Sequence, residues 1–305
     1  MTFLRKHRWL QALLLLGPAV AWGVAFIAIP FFMAVRMSLW QIVLFRLVRH
    51  LTLTNYRQFF STAIYHDPLF LSLENGAMAA CACLILSVPV AHFIRFRGGR
   101  HRAALFGAVV IALWMGYLLR IFGWRIILGD DGPLNKLLIS AGVIHHPISF
   151  LIFSRFAVVL TQTHLALAFA FIPVYAAMER LPETLLQAGA DLGATRLRQF
   201  LWVELPLISG GVITGGTFAF VLAFGDYFAP TLVGDPASLT AGNIASDQFG
   251  AAFDWPLGAA IGVIMTITVL LVLAVPWAIG RGRRATSAAL RGGIALTAPA
   301  AAREA

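Results

Sequence analysis

The sequence holds 305 residues, 60% of them hydrophobic and only 12% charged. A soluble globular domain carries about a quarter of its residues as charges, so that class is excluded. The net charge of +10 invites a nucleic-acid reading, but no basic helix or aromatic-basic module is present, and no nucleic-acid partner is expected.

The charges cut the chain into uncharged runs at Trp9–Val35, Asn75–Ile94, Ala103–Leu119, Phe156–Met178, Leu205–Gly225 and Trp255–Gly280. Each is near the roughly 17–25 residues that a spanning helix needs. They predict an all-α membrane protein with six transmembrane helices at about 9–35, 75–94, 103–120, 156–178, 205–226 and 255–280, in one transmembrane domain over 1–280. The first run follows Arg5, Lys6, His7 and Arg8, as a secretory signal would. It continues through Phe31 and Phe32 with no small-residue cleavage site, whereas a signal core is only about 7–15 residues long. An anchor is therefore expected.

Orientation follows from the basic residues. With the N-terminus inside, the cytoplasmic segments hold 15 of the 23 lysines and arginines. The bias is densest in the short loop with Arg95, Arg97, Arg100 and Arg102, where the positive-inside rule is most reliable. Both termini are thus expected in the cytoplasm. The first outer segment, Arg36 to Leu73, predicts a loop and then a helix on the outer face around Asn55-Tyr56 and Phe59-Phe60.

In the second span Cys81 and Cys83 lie two apart, on opposite sides of a helix, so they neither bridge nor share a metal. They are expected to be small buried hydrophobes, and Pro89 to kink the span. The uncharged run Leu137–Ser154 contains Gly142 and His145-His146-Pro147. It predicts a short surface helix followed by a turn. The tail 281–305 is basic and rich in Gly, Ala and Pro, and is expected to be flexible and dispensable.

The segment 179–206 interrupts the apolar second half with seven charged residues, Glu179, Arg180, Glu183, Asp191, Arg196, Arg198 and Glu204. Pro182 suits the first position of a helix, and Glu183 sits well at its positive end. Helix formers then run from Thr184 to Leu192. Gly193 breaks the helix, Thr195 is placed to cap a second one through Trp202, and Pro206 is expected to stop that one short of the next span. The middle is small: Ala188, Gly189, Ala190, Gly193 and Ala194. Small side chains let another backbone come close, as a docking surface requires.

Gln187-Ala188-Gly189, then Gly193, then Val203-x-Leu205-Pro206 resembles the EAA loop of bacterial ABC-importer permeases of type I. In that family the pattern is Glu-Ala-Ala, three residues, Gly, nine residues, then aliphatic-x-Leu-Pro. Gln187 replaces the Glu and removes a charge. Gly189 replaces an Ala and lowers helix propensity by about 1 kcal/mol. Three further stretches resemble the spermidine/putrescine branch: Leu113–Leu138 with its Gly132-Pro133-Leu134-Asn135 turn, Phe169–Leu181, and Phe220–Gly234. The matches together cover roughly residues 110–240.

The resemblance implies the type I permease fold with a cytoplasmic EAA-loop coupling helix, in a multi-pass protein of the bacterial inner membrane. It implies an ATPase-docking loop carried by Glu183, Gln187, Ala188, Gly189, Asp191, Gly193, Ala194, Leu205 and Pro206. The implied partners are ABC ATPase subunits, a second permease subunit (a heterodimer rather than a homodimer), a soluble substrate-binding protein and membrane lipid. ATP and Mg are implied on the ATPase, with no cofactor or metal on this chain. No Gly-Lys-Ser/Thr phosphate loop exists here, since Lys6 and Lys136 follow Arg5 and Asn135, so the chain is not itself expected to be an enzyme.

The outer loop Asp226 to Asp254 has four aspartates and no basic residue. Asp226, beside Tyr227 and directly after a span, is a candidate for the substrate pathway, as are Arg120 and Trp124 after the third span. A carboxylate there is expensive unless it faces water. The acidic loop and the branch resemblance favour a polyamine as solute. An anionic or metal-bound solute stays open, as does an ATPase-independent transporter or channel, or a membrane scaffold.

Overall fold

The computed structural model describes residues 8–44, 46–112 and 115–274. Helix α1 (Arg8–Gly23) passes through a π-turn, Val24–Ala28, into α2 (Ile29–Ser38). A two-stranded antiparallel hairpin follows, β1 (Gln41–Val43) with β2 (Arg46–Val48), in register Gln41↔Val48. Then come α3 (Thr54–Ser61), α4 (Ala63–Arg97), α5 (Arg102–Ala112), α6 (Tyr117–Leu128) and α7 (Pro133–Ser140). The second half holds α8 (Arg155–Glu179), α9 (Glu183–Asp191) and α10 (Arg196–Gln199), which a second π-turn, Phe200–Glu204, joins to α11 (Leu205–Phe224). The described chain ends with α12 (Phe228–Val233), α13 (Ala241–Phe249) and α14 (Trp255–Ala274). The tail 281–305 lies outside the described residues.

Among the described residues five helices are long and apolar enough to cross a membrane: Leu16–Ser38, Ala63–Arg97, Arg155–Glu179, Arg196–Phe224 and Trp255–Ala274. The run expected as the third span is divided. Gly116 sits at φ −52°, ψ 139°, so α5 and α6, of 11 and 12 residues, are separate. At 1.5 Å per residue neither alone reaches across about 30 Å of hydrocarbon. The run has no charge at this point, so the charge pattern carries no sign of the break.

One expectation about prolines is corrected. Helix α4 runs 35 residues through Pro68 and Pro89. Pro206 does not stop the helix before it. The Leu205 N–H donates to the Phe200 carbonyl five residues back, and Ile29 does the same to Val24 just before Pro30. A proline ring collides with the carbonyl four residues before it and offers no N–H. The wider π-turn takes up that misfit, and the helix continues. Cys83 is buried as expected, but Cys81 is exposed.

The chain divides into two compact units. The first takes Met1–Met78, Met115–Leu165 and Leu222–Met265. Its core gathers Ile121, Leu128, Leu151, Ile152, Val158, Leu165 and Val233. Buried Asn55 donates to the carbonyls of Ser38 and Trp40, at 2.8 and 2.7 Å, tying α3 to the end of α2. Among the described residues the second unit takes 79–112, 166–221 and 266–274. Ala91, Ile94, Phe171, Val174, Tyr175, Met178 and Ile208 form its core. There α8 and α11 pack without spacers: a Cβ on Gly211 would lie 2.5 Å from the Pro173 carbonyl oxygen, and one on Gly215 2.6 Å from that of Ala170. Small residues at such crossings let helices gain contact where no hydrophobic force separates protein from lipid.

Candidate functional site

The loop in the second unit is ordered by its own backbone chemistry. Leu181 is buried, and Pro182 caps α9 rather than opening it, with Glu183 in the first turn. Gly193 adopts φ +75°, the left-handed conformation that glycine enters without a Cβ clash. Its N–H donates to Ala190 at 2.8 Å and that of Ala194 to Gly189 at 3.0 Å. This pair of bonds is a Schellman motif, which satisfies the Ala190 and Gly189 carbonyls at the end of α9. Thr195 Oγ1 then accepts from the Arg198 N–H at 3.4 Å and caps α10, as the sequence indicates. Gln199 Nε2 reaches back 3.1 Å to the Leu186 carbonyl, closing the two helices on each other.

Gln187, Ala188, Asp191 and Gly193 are exposed, and Gly189 and Ala194 half-buried. Leu192, Leu197 and Trp202 are exposed too, Trp202 at 79%. An apolar surface of this kind around a rigid helix end suits a partner surface. Leu205 instead packs on the core, and Pro206 serves the π-turn. Those two shape the loop's exit. A Cβ on Gly189 would meet only the Gln199 side chain at 3.6 Å, so alanine fits where the family pattern has it.

The first unit holds the second group of candidates. Asp226 Oδ1 accepts from the Tyr117 hydroxyl and from the Phe228 and Ala229 N–H groups, at 3.0 and 3.4 Å for the latter two. Asp226 is thus drawn inward, 7% exposed, with these donors around Oδ1. Its backbone bonds cap α12. Trp124 Nε1 meets His164 Nδ1 at 3.0 Å, and the Arg120 Nη1 group lies 3.4 Å from the Leu165 carbonyl. Tyr227 is half-exposed, its ring 4.1 Å from that of Phe228.

The structure adds residues that the sequence reading passed over: Tyr117, Gln162 and His164. A Thr-Gln-Thr-His run at 161–164 inside an apolar span was a visible signal, since polar groups there are costly. Gln162 is 1% exposed and donates to the Ala223 carbonyl at 3.2 Å. Gln162 Oε1, Asp226 Oδ2 and Arg120 Nε are among the buried side-chain atoms of the described residues that lack a hydrogen-bond partner, as are Thr161 Oγ1 beside them and Glu204 Oε2 in the second unit. Gln162 Oε1 and Asp226 Oδ2 are acceptors. Such groups cost roughly 1–3 kcal/mol each when left unfilled.

The other aspartates of the outer loop are mostly spent locally. Asp235 accepts from the Ser238 hydroxyl, and Asp254 accepts from the Leu257 N–H at 3.2 Å at the start of α14. Asp247 lines an open groove with Asp67, Phe70 and Glu74.

Comparison with known proteins gives these features a family. No family model matches the chain. The spermidine/putrescine transport system permease protein PotB of Escherichia coli (strain K12) is 33% identical over 263 residues, covering 86% of this chain and 95% of that protein. The inner membrane ABC transporter permease protein YdcU of the same organism is 33% identical over 282 residues, covering 86% of this chain and 87% of that one. A chain from the crystal structure of a bacterial ABC transporter that imports the acidic polysaccharide alginate superposes with a TM-score of 0.69 at 16% identity. The match covers 93% of this chain and 98% of that one, so the two share a fold. The chain belongs to the inner-membrane permeases of ABC importers, in their spermidine/putrescine branch.

Proposed function

We propose that this chain is a permease subunit of an ATP-driven importer and forms part of the path for a small organic polycation such as spermidine or putrescine. The observation that carries this reading is the 33% identity to PotB over 95% of that protein's length. The partners proposed are two ABC ATPase subunits with their ATP and Mg, a second and different permease subunit, and a soluble binding protein that delivers the solute. Both termini are proposed to be cytoplasmic, on the strength of the basic-residue bias.

In this reading α9 and the turn at Gly193 dock on the ATPase. Closure of the ATPases on nucleotide moves α9, and the spans alternate between inward- and outward-open states. Docking must be worth more in one state than in the other, because a contact equal in both shifts nothing. The solute's ammonium groups are proposed to engage the unfilled acceptors Asp226 Oδ2 and Gln162 Oε1, with Tyr117, Tyr227, Trp124 and Arg120 around them. An anionic solute is the second reading. Buried Arg120, with its free Nε, is the observation that favours it.

Uptake by cells lacking their own polyamine import tests the proposal. Expression of the complete transporter is expected to restore uptake of labelled spermidine, and excess putrescine to compete. Restored uptake of an oxyanion with no effect on spermidine would transfer the assignment to the second reading.

A further inference from the structure

The short loop between α4 and α5, the densest basic segment of the chain, is bent at a glycine corner. A Cβ on Gly98 would run into the Ile94 carbonyl and lie 3.2 Å from Arg102 Cα, and Gly99 takes φ +48°. The corner therefore brings the last turn of α4 and the first turn of α5 together without side chains between them. Arg95 and Arg102, one on each side, reach into the same short segment. Arg95 donates from Nη1 to Glu183 Oε1 at 2.8 Å and from Nη2 to the Leu181 carbonyl at 3.4 Å. Arg102 donates from Nη2 to Glu179 Oε1 at 2.6 Å and from Nε to the Tyr175 hydroxyl at 2.8 Å. Its guanidinium also stands 5.7 Å from the centre of the Tyr175 ring. Each arginine spends its planar fork on two acceptors, a geometry that lysine does not reproduce. One turn before Arg95, His92 Nε2 lies 3.3 Å from buried Glu204 Oε2, so α4 touches the loop at its exit as well.

No residue of α9 is buried. Leu181 before it is buried, and Leu186 packs half-buried, against the core that holds Ala91 and Ile94 of α4; the directional links from the helix's entrance to α4 and α5 are the polar ones. The arginines are the covered partners and the carboxylates the exposed ones: the Arg95 side chain is 14% exposed and that of Glu183 59%. Such a pair can open and re-form as the carboxylate side moves, which an interlocked apolar contact does not do. We propose that Arg95 and Arg102 are the positioning residues that carry displacement of α9 into α4 and α5. This rests on the reading that α9 docks on the ATPase.

The test uses the whole transporter in proteoliposomes, with spermidine-loaded binding protein. In the double variant Arg95→Gln, Arg102→Gln, ATPase recovery on purification and basal ATP hydrolysis are expected to stay at the wild-type level. Spermidine moved per ATP is expected to fall about fivefold or more, the lower range of measured coupling between sites. The exchange Arg102→Glu with Glu179→Arg is expected to restore most of that ratio, while Arg102→Glu alone does not. A residue that merely fills space gives no such rescue. Should the double variant fail to insert, Glu179→Gln removes the charge from the exposed side, and the same fall in ratio is expected. A wild-type ratio in the Gln variants, or an exchange no better than the single change, overturns the proposal. Gly193→Asp separates it from the docking reading: if that variant keeps ATPase and transport, docking at α9 falls. If docking stands and the Gln variants transport normally, only the role of the two arginines falls.

Discussion

Two clusters of polar groups, one in each unit, are met in different ways. Around the loop of the second unit, exposed carboxylates are answered by arginines from other elements: Glu183 by Arg95, and Glu179 by Arg102. In the first, Asp226, Gln162 and Arg120 are buried, and each keeps one atom unanswered among the described residues. Exposed pairs are worth about 0–1 kcal/mol and are easily remade. Buried unmatched groups cost more and stay only where something offsets them. The contrast fits the proposal that the loop moves against a partner while the buried cluster receives the solute.

The largest effect is expected at the turn proposed to present the docking surface. In Gly193→Asp the left-handed residue gains a Cβ, at roughly 1–2 kcal/mol, and a charge in the middle of a close contact. ATPase recovered with the permease should drop by an order of magnitude or more, with the amount of permease in the membrane unchanged. A normal pull-down would erase the contrast between the two units from the docking side.

Asp226→Asn comes next. Asparagine keeps an oxygen for the Phe228 and Ala229 N–H groups, so α12 stays capped while the charge is lost. The attraction removed is about 1–4 kcal/mol for an ammonium near 4 Å away, depending on how wet the site is. Spermidine uptake should fall accordingly, at constant protein level. A variant that transports normally would make Asp226 a cap and nothing more.

Gln162→Leu sharpens the comparison with a smaller effect. It deletes an acceptor that lacks a partner, and exchanging a half-satisfied group for an apolar one is often nearly neutral for stability. Thermal stability in detergent is expected to stay within a few degrees and uptake to fall a few-fold. A large loss of stability instead would make Gln162 a structural strut through its bond to Ala223.

How much of this was legible follows the range of the interactions. The coupling loop was readable almost residue by residue, because Gly193 and Thr195 act on their immediate neighbours. Pro206 suggests a helix stop by the same local logic, but its effect is absorbed in the π-turn Phe200–Glu204 just before it, a response that no single residue announces. The hairpin at Gln41–Val48 went unseen beside the stronger span signal. Helix α4 begins 12 residues before the apolar run does, since Asp67 and Glu74 mark polarity without interrupting the helix. Asp226 stood out as a carboxylate beside aromatics, but Tyr117 lies 109 positions away, and nothing local joins them. Arg95 and Arg102 were read as topology markers; only the fold shows which carboxylates they face.

In the proposed function, this permease links a solute-loaded binding protein outside to ATP hydrolysis on the ATPase subunits. ATP turnover by the reconstituted transporter, measured with the binding protein empty and then loaded with spermidine, tests it most directly. The account predicts clear stimulation by the loaded form, abolished in Gly193→Asp. Equal turnover with empty and loaded binding protein, or stimulation only when that protein carries an anion, would contradict it.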